Sequence, residues 1–313
     1  MDITNIITAL SGIYITSYIL DSLIEGHKNI KILKANKQRH IDAYNIIDEI
    51  EKTALDQTQD LDIDSILKNL SYPNELKNIV SKFKNYVDDE NFNICLQRLS
   101  TLQINYINIL NDIKKYLQNF CENDGDYIAI DNTIDIYRFF DKESVLSHEF
   151  LHMASTGKEG ISGFCTLLKD VWIGDGLDEG YTELLNSRIF QNKNISYKYN
   201  IEIVKLIEIL FDDPKDMQYA YFHNNIFIIY KTFLKYGTKE EFFQTIQTLD
   251  NLIETDIPIY KRITATKTKL NLYQIIKRSN DKEKIKQAKN LLDKDPLLKI
   301  IKPKTPKNKH QKR

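Results

Sequence analysis

Cysteine is scarce in this chain, with Cys95, Cys121 and Cys165 the only three among 313 residues. An odd number with no close spacing excludes a disulfide framework and a CxxC metal site, and leaves free, buried thiols. Proline and glycine are also few, six and ten, so helices with few breakers are expected. Net charge is almost absent: 43 Lys plus Arg stand against 44 Asp plus Glu. That balance gives no bulk attraction to nucleic acid or to an anionic membrane surface. Long apolar runs are missing except over residues 3–20, where Asn5, Tyr14, Tyr18 and several Thr and Ser interrupt the pattern. This segment lacks a basic leader and a small-residue cleavage site, so it does not read as a secretory signal. It reads as a buried amphipathic helix of a cytoplasmic protein. The alternative is a membrane anchor of marginal length, with Lys28, Lys31, Lys34, Lys37 and Arg39 holding the body on the cytoplasmic side.

What is present is an ordinary globular composition, 42% apolar and 28% charged, long enough for one large or two modest domains. Apolar residues recur at helical spacing over Arg39–Glu51 and Asn74–Val87. The longest stripe is Phe92, Cys95, Leu99, Leu102, Tyr106, Leu110, Ile113 and Leu117, which predicts one helix from Asp89 to Phe120. The pattern then changes. Turn residues fill Glu122–Asp126, and Tyr127–Ile130 and Thr133–Tyr137 are β-prone runs around Asp131-Asn132, the one strand signal in the chain. Asp141 offers an N-cap for a helix from Lys142 to Ala154. Six of the ten glycines lie between Gly157 and Gly180, a connection that ends where a helix begins near Asp175–Leu177 and runs to Phe190. Further helices are predicted over Tyr197–Phe211, Lys215–Tyr236, Lys239–Glu254 and Asn271–Leu292. The Pro- and Lys-rich end from Lys302 reads as a disordered tail, and with no aromatic or folded platform it predicts no nucleic-acid partner.

His148-Glu149-Phe150-Leu151-His152 is an HExxH sequence on a predicted helix. Residues i and i+4 share one face, so both imidazoles can reach one metal ion, and the intervening Glu can reach water on it without being a ligand. With six histidines in the chain, chance produces this pattern in about one protein in a hundred of this size. Neutral imidazoles suit zinc, and three protein ligands would leave a position for water. The third ligand must come from elsewhere. Glu179 and Glu183 lie one turn apart on the next helix, so one carboxylate can bind metal while the other orients an imidazole. Asp178 and Glu183 compete with Glu179 for the ligand position.

Leu177-Asp178-Glu179-Gly180, following the HExxH helix, resembles the gluzincin zinc metallopeptidases, in which a second helix opens with a similar Leu-Asn-Glu-Gly motif. The likeness spans Tyr127 to Arg188, and Asp replaces the family's Asn. It implies His148, His152 and Glu179 as zinc ligands, Glu149 as general base, and Glu183 as an acidic partner of a ligand histidine. It also implies a peptide or protein substrate. The 26 residues between His152 and Glu179 exceed the family's shortest spacers. A second electrophile, usually Tyr or His in this family, is sought among Tyr219, Tyr221 and His223, with His223 the candidate. The strand Thr133–Phe139 is expected to form the cleft edge on which substrate pairs, with Arg138 an exposed edge residue.

The resulting expectation is a mainly α protein with a small β element (α+β), a zincin-like core with extra N-terminal helices. It divides as 1–122 helical, 123–255 catalytic, 256–301 helical and 302–313 tail. The competing functional reading is a catalytically weak zinc-binding regulatory protein on a peptidase fold.

Overall fold

The computed structural model describes residues 28–47, 74–107, 124–137, 142–157, 160–192 and 196–301. The apolar segment 3–20, Cys121, Arg138 and the tail from 302 lie outside them. The described chain is mainly helical with a small mixed sheet. None of its helices is long and apolar enough to cross a membrane.

Helix α1 covers residues 28–46. It turns Asn29, Asn36 and His40 inward together with Ala43 and docks by polar contacts. The Asn36 amide donates to Asn251 Oδ1 at 2.9 Å, and His40 Nε2 lies 2.9 Å from the Asp250 carboxylate. Helix α2 (Asn74–Tyr86) buries Leu76, Ile79, Val80 and Phe83 at the spacing its sequence predicts. Helix α3 (Asp89–Leu99) is capped by Asp88, whose carboxylate accepts from Asn91 N.

The helix predicted through Phe120 ends at Leu99, and Gln103–Tyr106 form strand β1 instead. Asn132 caps the helix where it ends. Its side-chain amide donates to Arg98 O at 2.6 Å and to Thr101 Oγ1 at 2.8 Å, satisfying a carbonyl of the last turn. Tyr106, which fits the helical stripe, serves equally with Ile104 as an inward position of a short strand. Residues 108–123 are outside the description.

Strands β2 (Gly125–Ile128) and β3 (Thr133–Ile136) form the expected hairpin. Strand β1 adds on the far side of β3 in parallel, Ile104 opposite Ile134. The order β1-β3-β2 makes β3 central and wholly buried, so the cleft edge expected at Thr133–Phe139 belongs to β2. A domain boundary at 122 falls between strands of this one sheet.

Helix α4 (Lys142–Ser155) follows and is buried on nearly every side from Val145 to Ser155. It packs on α2 and α3, on β2 and β3, and on the helices that come after it. The glycine-rich connection is not featureless: it holds a hairpin of β4 (Thr166–Leu168) and β5 (Val171–Ile173), with Lys169 at a φ of 56° in the turn. Helix α5 (Asp175–Ile189) then runs back along α4.

The remaining helices are α6 (Lys198–Glu208), α7 (Pro214–Phe222), α8 (Ile226–Leu234), α9 (Lys239–Glu254), α10 (Pro258–Arg278), α11 (Lys282–Leu292) and α12 (Pro296–Ile301). Lys215–Tyr236 is two helices because Asn224 takes a φ of 48° after His223. The segment Asn271–Leu292 is likewise split, at Asn280 with a φ of 56°, and Asp281 caps α11. Helix α10 starts earlier than expected, at Pro258, where a missing N–H costs nothing. Helix α9 matches its predicted bounds and opens with a Thr238/Glu241 capping box.

One feature of α5 fixes the site. A Cβ on Gly176 would lie 2.1 Å from the backbone of Leu249, so only glycine allows α5 to cross α9 this closely. At that crossing the buried Asp250 carboxylate accepts from Gly176 N at 2.8 Å and Gly174 N at 3.2 Å, capping the helix that carries Asp178, Glu179 and Glu183.

Candidate metal centre

Helix α4 presents His148, Glu149 and His152 toward the first turns of α5, and the two helices bring His148, His152 and Glu179 to one point. His148 Nε2 stands 3.1 Å from His152 Nε2 and 3.1 Å from Glu179 Oε2, and His152 Nε2 stands 3.6 Å from the same oxygen. Ligands about 2.0–2.1 Å from a tetrahedral metal are separated by about 3.3 Å. The three observed separations lie close to that value.

The outer nitrogens decide the chemistry of the inner ones. His148 Nδ1 lies 2.9 Å from Glu183 Oε2, and His152 Nδ1 lies 3.2 Å from Asp178 Oδ2. An ionised carboxylate only accepts, so each Nδ1 carries a hydrogen, and a neutral ring then has its Nε2 lone pair available to a metal. One ligand atom from each of His148, His152 and Glu179 converges on one point. The group could hold a metal ion.

Electrostatics point the same way. Burial alone would lower the His148 imidazole, yet the Glu179 and Glu183 carboxylates raise it to about 10. His152 is raised as well, burial being outweighed by Glu179 and Asp178. Burial opposes ionisation of Glu179, but the two histidines hold it well below the usual carboxylate range. The surroundings call for positive charge at a place where two imidazolium ions would face each other at 3.1 Å.

Each supporting carboxylate is itself held. Glu183 is buried and accepts from the Asn186 amide at 3.4 Å, and Asn186 in turn accepts from Ser147 at 2.7 Å. Asp178 accepts from Phe164 N at 2.9 Å and from Ser162 Oγ at 3.2 Å. Between those donors lies Gly163, with a φ of 49°, where a Cβ would fall 1.6 Å from Asp178 Oδ1. The glycine-rich connection is thus shaped to wrap this carboxylate. Asp178, a competitor for the metal in the sequence, sits on the far side of His152.

Glu149 is only 7% exposed, lines the cleft and accepts no hydrogen bond from a described residue. Burial raises its carboxyl, partly offset by the two histidines. Tyr197, at the entrance to α6, stacks on His148 with ring centroids 6.1 Å apart and bonds through its hydroxyl to Glu179. The Glu179 charge, then burial, push its phenol far above the usual range. Nothing in the sequence singled out Tyr197 among 18 tyrosines.

His223 is not brought to this group. It stacks on Tyr219, its Nδ1 faces the Tyr219 carbonyl at 2.9 Å, and its Nε2 lies 3.2 Å from Glu90, so both ring nitrogens are occupied at the end of α7. Tyr221 is also remote in role: buried against Phe164 and Tyr181, its hydroxyl meets Thr182 at 2.7 Å and braces α5.

The histidines and Glu149 open onto a cleft of about 320 Å³. Gly125, Asp126 and Tyr127 of edge strand β2 contribute to its lining, as do Ser162, Cys165 and Asp175, Tyr197 and Ile253. A larger groove of about 590 Å³ between α9 and α10 is lined by Gln244, Thr248, Thr268 and Asn271 with the Glu241–Arg278 pair, and among the described residues gathers no cluster of metal-ligating groups.

Compared with known proteins, the chain matches no family model, no curated protein and no solved structure. The functional reading stands on the site alone.

Proposed function

We propose that this protein is a zinc-dependent peptidase of gluzincin type, with His148, His152 and Glu179 as ligands. The observation that carries the reading is the convergence of His148, His152 and Glu179 with a free, buried Glu149 carboxylate beside them. Each imidazole is fixed in one tautomer by its own acid, an arrangement suited to holding a cation rather than to packing a core.

Zinc, when bound there, supplies an electrophile that acidifies water and polarises a carbonyl oxygen. Glu149 takes a proton from the attacking water and returns it to the leaving amine. Its burial favours this, since it raises the carboxyl above its ordinary range and so makes Glu149 a stronger base. Tyr197 takes the place expected of His223: its one hydroxyl hydrogen, given to Glu179 here, would turn to the oxyanion that forms on the substrate carbonyl. An extended peptide pairs with the open edge of β2, whose residues line the cleft. Asp178 and Glu183 keep the imidazoles from rotating, and Asp250 keeps α5 in register.

Glu149→Gln tests the reading against a zinc-binding protein without turnover. The variant is expected to keep about one zinc per chain while peptide hydrolysis falls about 10²–10⁴-fold. Hydrolysis unchanged by that substitution would end the proposal, and so would a wild-type protein that takes up no metal.

A further inference from the structure

We propose that the cleft selects peptides with a lysine or arginine side chain beside the bond to be cut, and that Asp175 reads its charge. The inference rests on the peptidase reading and adds the substrate class.

Among the described residues the cleft is lined by Asp126, Glu149, Asp175, Asp178 and Glu179, and by no Lys or Arg. Three of these carboxylates have work already. Glu179 faces the histidines, Asp178 holds His152, and Glu149 is the free carboxylate beside them. A dication is more than balanced by Glu179, Asp178 and Glu183, so Asp126, Glu149 and Asp175 leave the cleft negative with metal in place. Such a cleft attracts a cationic group and repels an acidic one.

Asp175 stands out among them. It is partly buried in the first turn of α5, and its carboxylate accepts from Trp172 Nε1 and from Cys165 Sγ, neither of them charged. No described Lys or Arg forms an ion pair with it. The neighbouring Asp250 is already paired with His40 and the α5 backbone. Burial, and after it the Asp250 charge, raise the Asp175 carboxyl to about 6. A ligand ammonium or guanidinium supplies it with a cation. Ile253, one turn beyond the Leu249 contact with α5, adds an apolar surface to the cleft for the aliphatic stem of such a side chain. Tyr137 donates to Asp126 at 3.1 Å, which ties that acid to the sheet.

The test uses the zinc-loaded full chain and pairs of fluorogenic peptides that differ only in lysine against norleucine, moved through the positions flanking the scissile bond. At one position kcat/KM for lysine is expected to exceed that for norleucine about thirtyfold, the size of a partly desolvated charge pair. Asp175→Asn collapses that ratio toward one, whereas Asp126→Asn retains most of it. Zinc content and thermal unfolding establish that both variants are folded. Titration of the same peptide pair into Glu149→Gln protein reads the preference without turnover. Cleavage of both peptides at equal rates, or a lysine preference intact in Asp175→Asn, overturns the inference while leaving a peptidase. Preferential binding of the lysine peptide with no cleavage by wild type upholds the charge preference and overturns the peptidase reading. Neither cleavage nor preferential binding overturns both.

Discussion

Replacing Asp178 with asparagine leaves one acceptor atom where the native carboxylate offers two. Oδ1 accepts from Phe164 N at 2.9 Å, and Oδ2 faces His152 Nδ1 and Ser162 Oγ, each at 3.2 Å. If the amide oxygen keeps the Phe164 N–H, its NH₂ meets the hydrogen on His152 Nδ1. The imidazole must then move that hydrogen to Nε2, the atom needed for the metal. If the amide turns over, His152 keeps its tautomer and the buried Phe164 N–H loses its partner. The first orientation costs metal affinity, about 10–100-fold by comparison with other outer partners of ligand histidines. The second costs about 1–3 kcal/mol of folding stability for an unsatisfied buried donor. The assay is zinc competition against a chromophoric chelator at fixed pH and salt, run beside urea unfolding of the same metal-free samples. Asp178→Asn must lose on one axis or share the loss between them. Unchanged affinity together with unchanged stability refutes the role given to this carboxylate. Metal lost entirely in Asp178→Asn but kept in Glu179→Gln would make Asp178 the ligand and Glu179 the bystander.

Other substitutions read separate parts of the site. Tyr197→Phe should lower kcat about a hundredfold with KM little changed, as removal of an oxyanion donor does; a change confined to KM would assign Tyr197 to substrate binding instead. Gly163→Ala should mimic Asp178→Asn in zinc titrations, because a Cβ 1.6 Å from Asp178 Oδ1 must displace that carboxylate; unaltered affinity would show that the loop gives way instead. For Asp175, the folded-state carboxyl is raised from 3.8 to about 6, so the native protein holds its proton more tightly than the unfolded chain. Its stabilising contribution is complete below pH 4 and is lost as pH rises through 6, a swing of about 3 kcal/mol at most. Asp175→Asn is therefore expected to be more stable than wild type at pH 7.5 and to lose that advantage at pH 4 in urea unfolding. An asparagine variant less stable at pH 7.5 would refute the assigned strain.

Local patterns were the legible part of this chain. HExxH depends on one helical turn, and the capping box of α9 on three residues, so both are visible in short windows. The ambiguity between Asp178 and Glu179 could not be resolved there. Adjacent helical residues point about 100° apart, and which direction faces His148 depends on how α5 lies on α4. Long-range pairings hid the rest. Leu102 and Tyr106 satisfy a helix stripe or a strand, and β3, some thirty residues on, decides for the strand. His223 drew notice by rarity alone, and rarity says nothing about which elements its side chain will meet. Tyr197 was one tyrosine among many until α6 packed beside α5 and placed its ring against His148.

Helix α4 is enclosed by helices on one side and by β2 and β3 on the other. Its backbone amides therefore have no route to solvent through partial opening, and their hydrogen exchange should report the unfolding of the whole domain. The start of α5 is held differently, by the Asp250 cap and a loop around Asp178. A chelator should leave protection in α4 nearly unchanged and reduce it in the first turn of α5, so that two helices facing the same ion answer its removal on separate timescales.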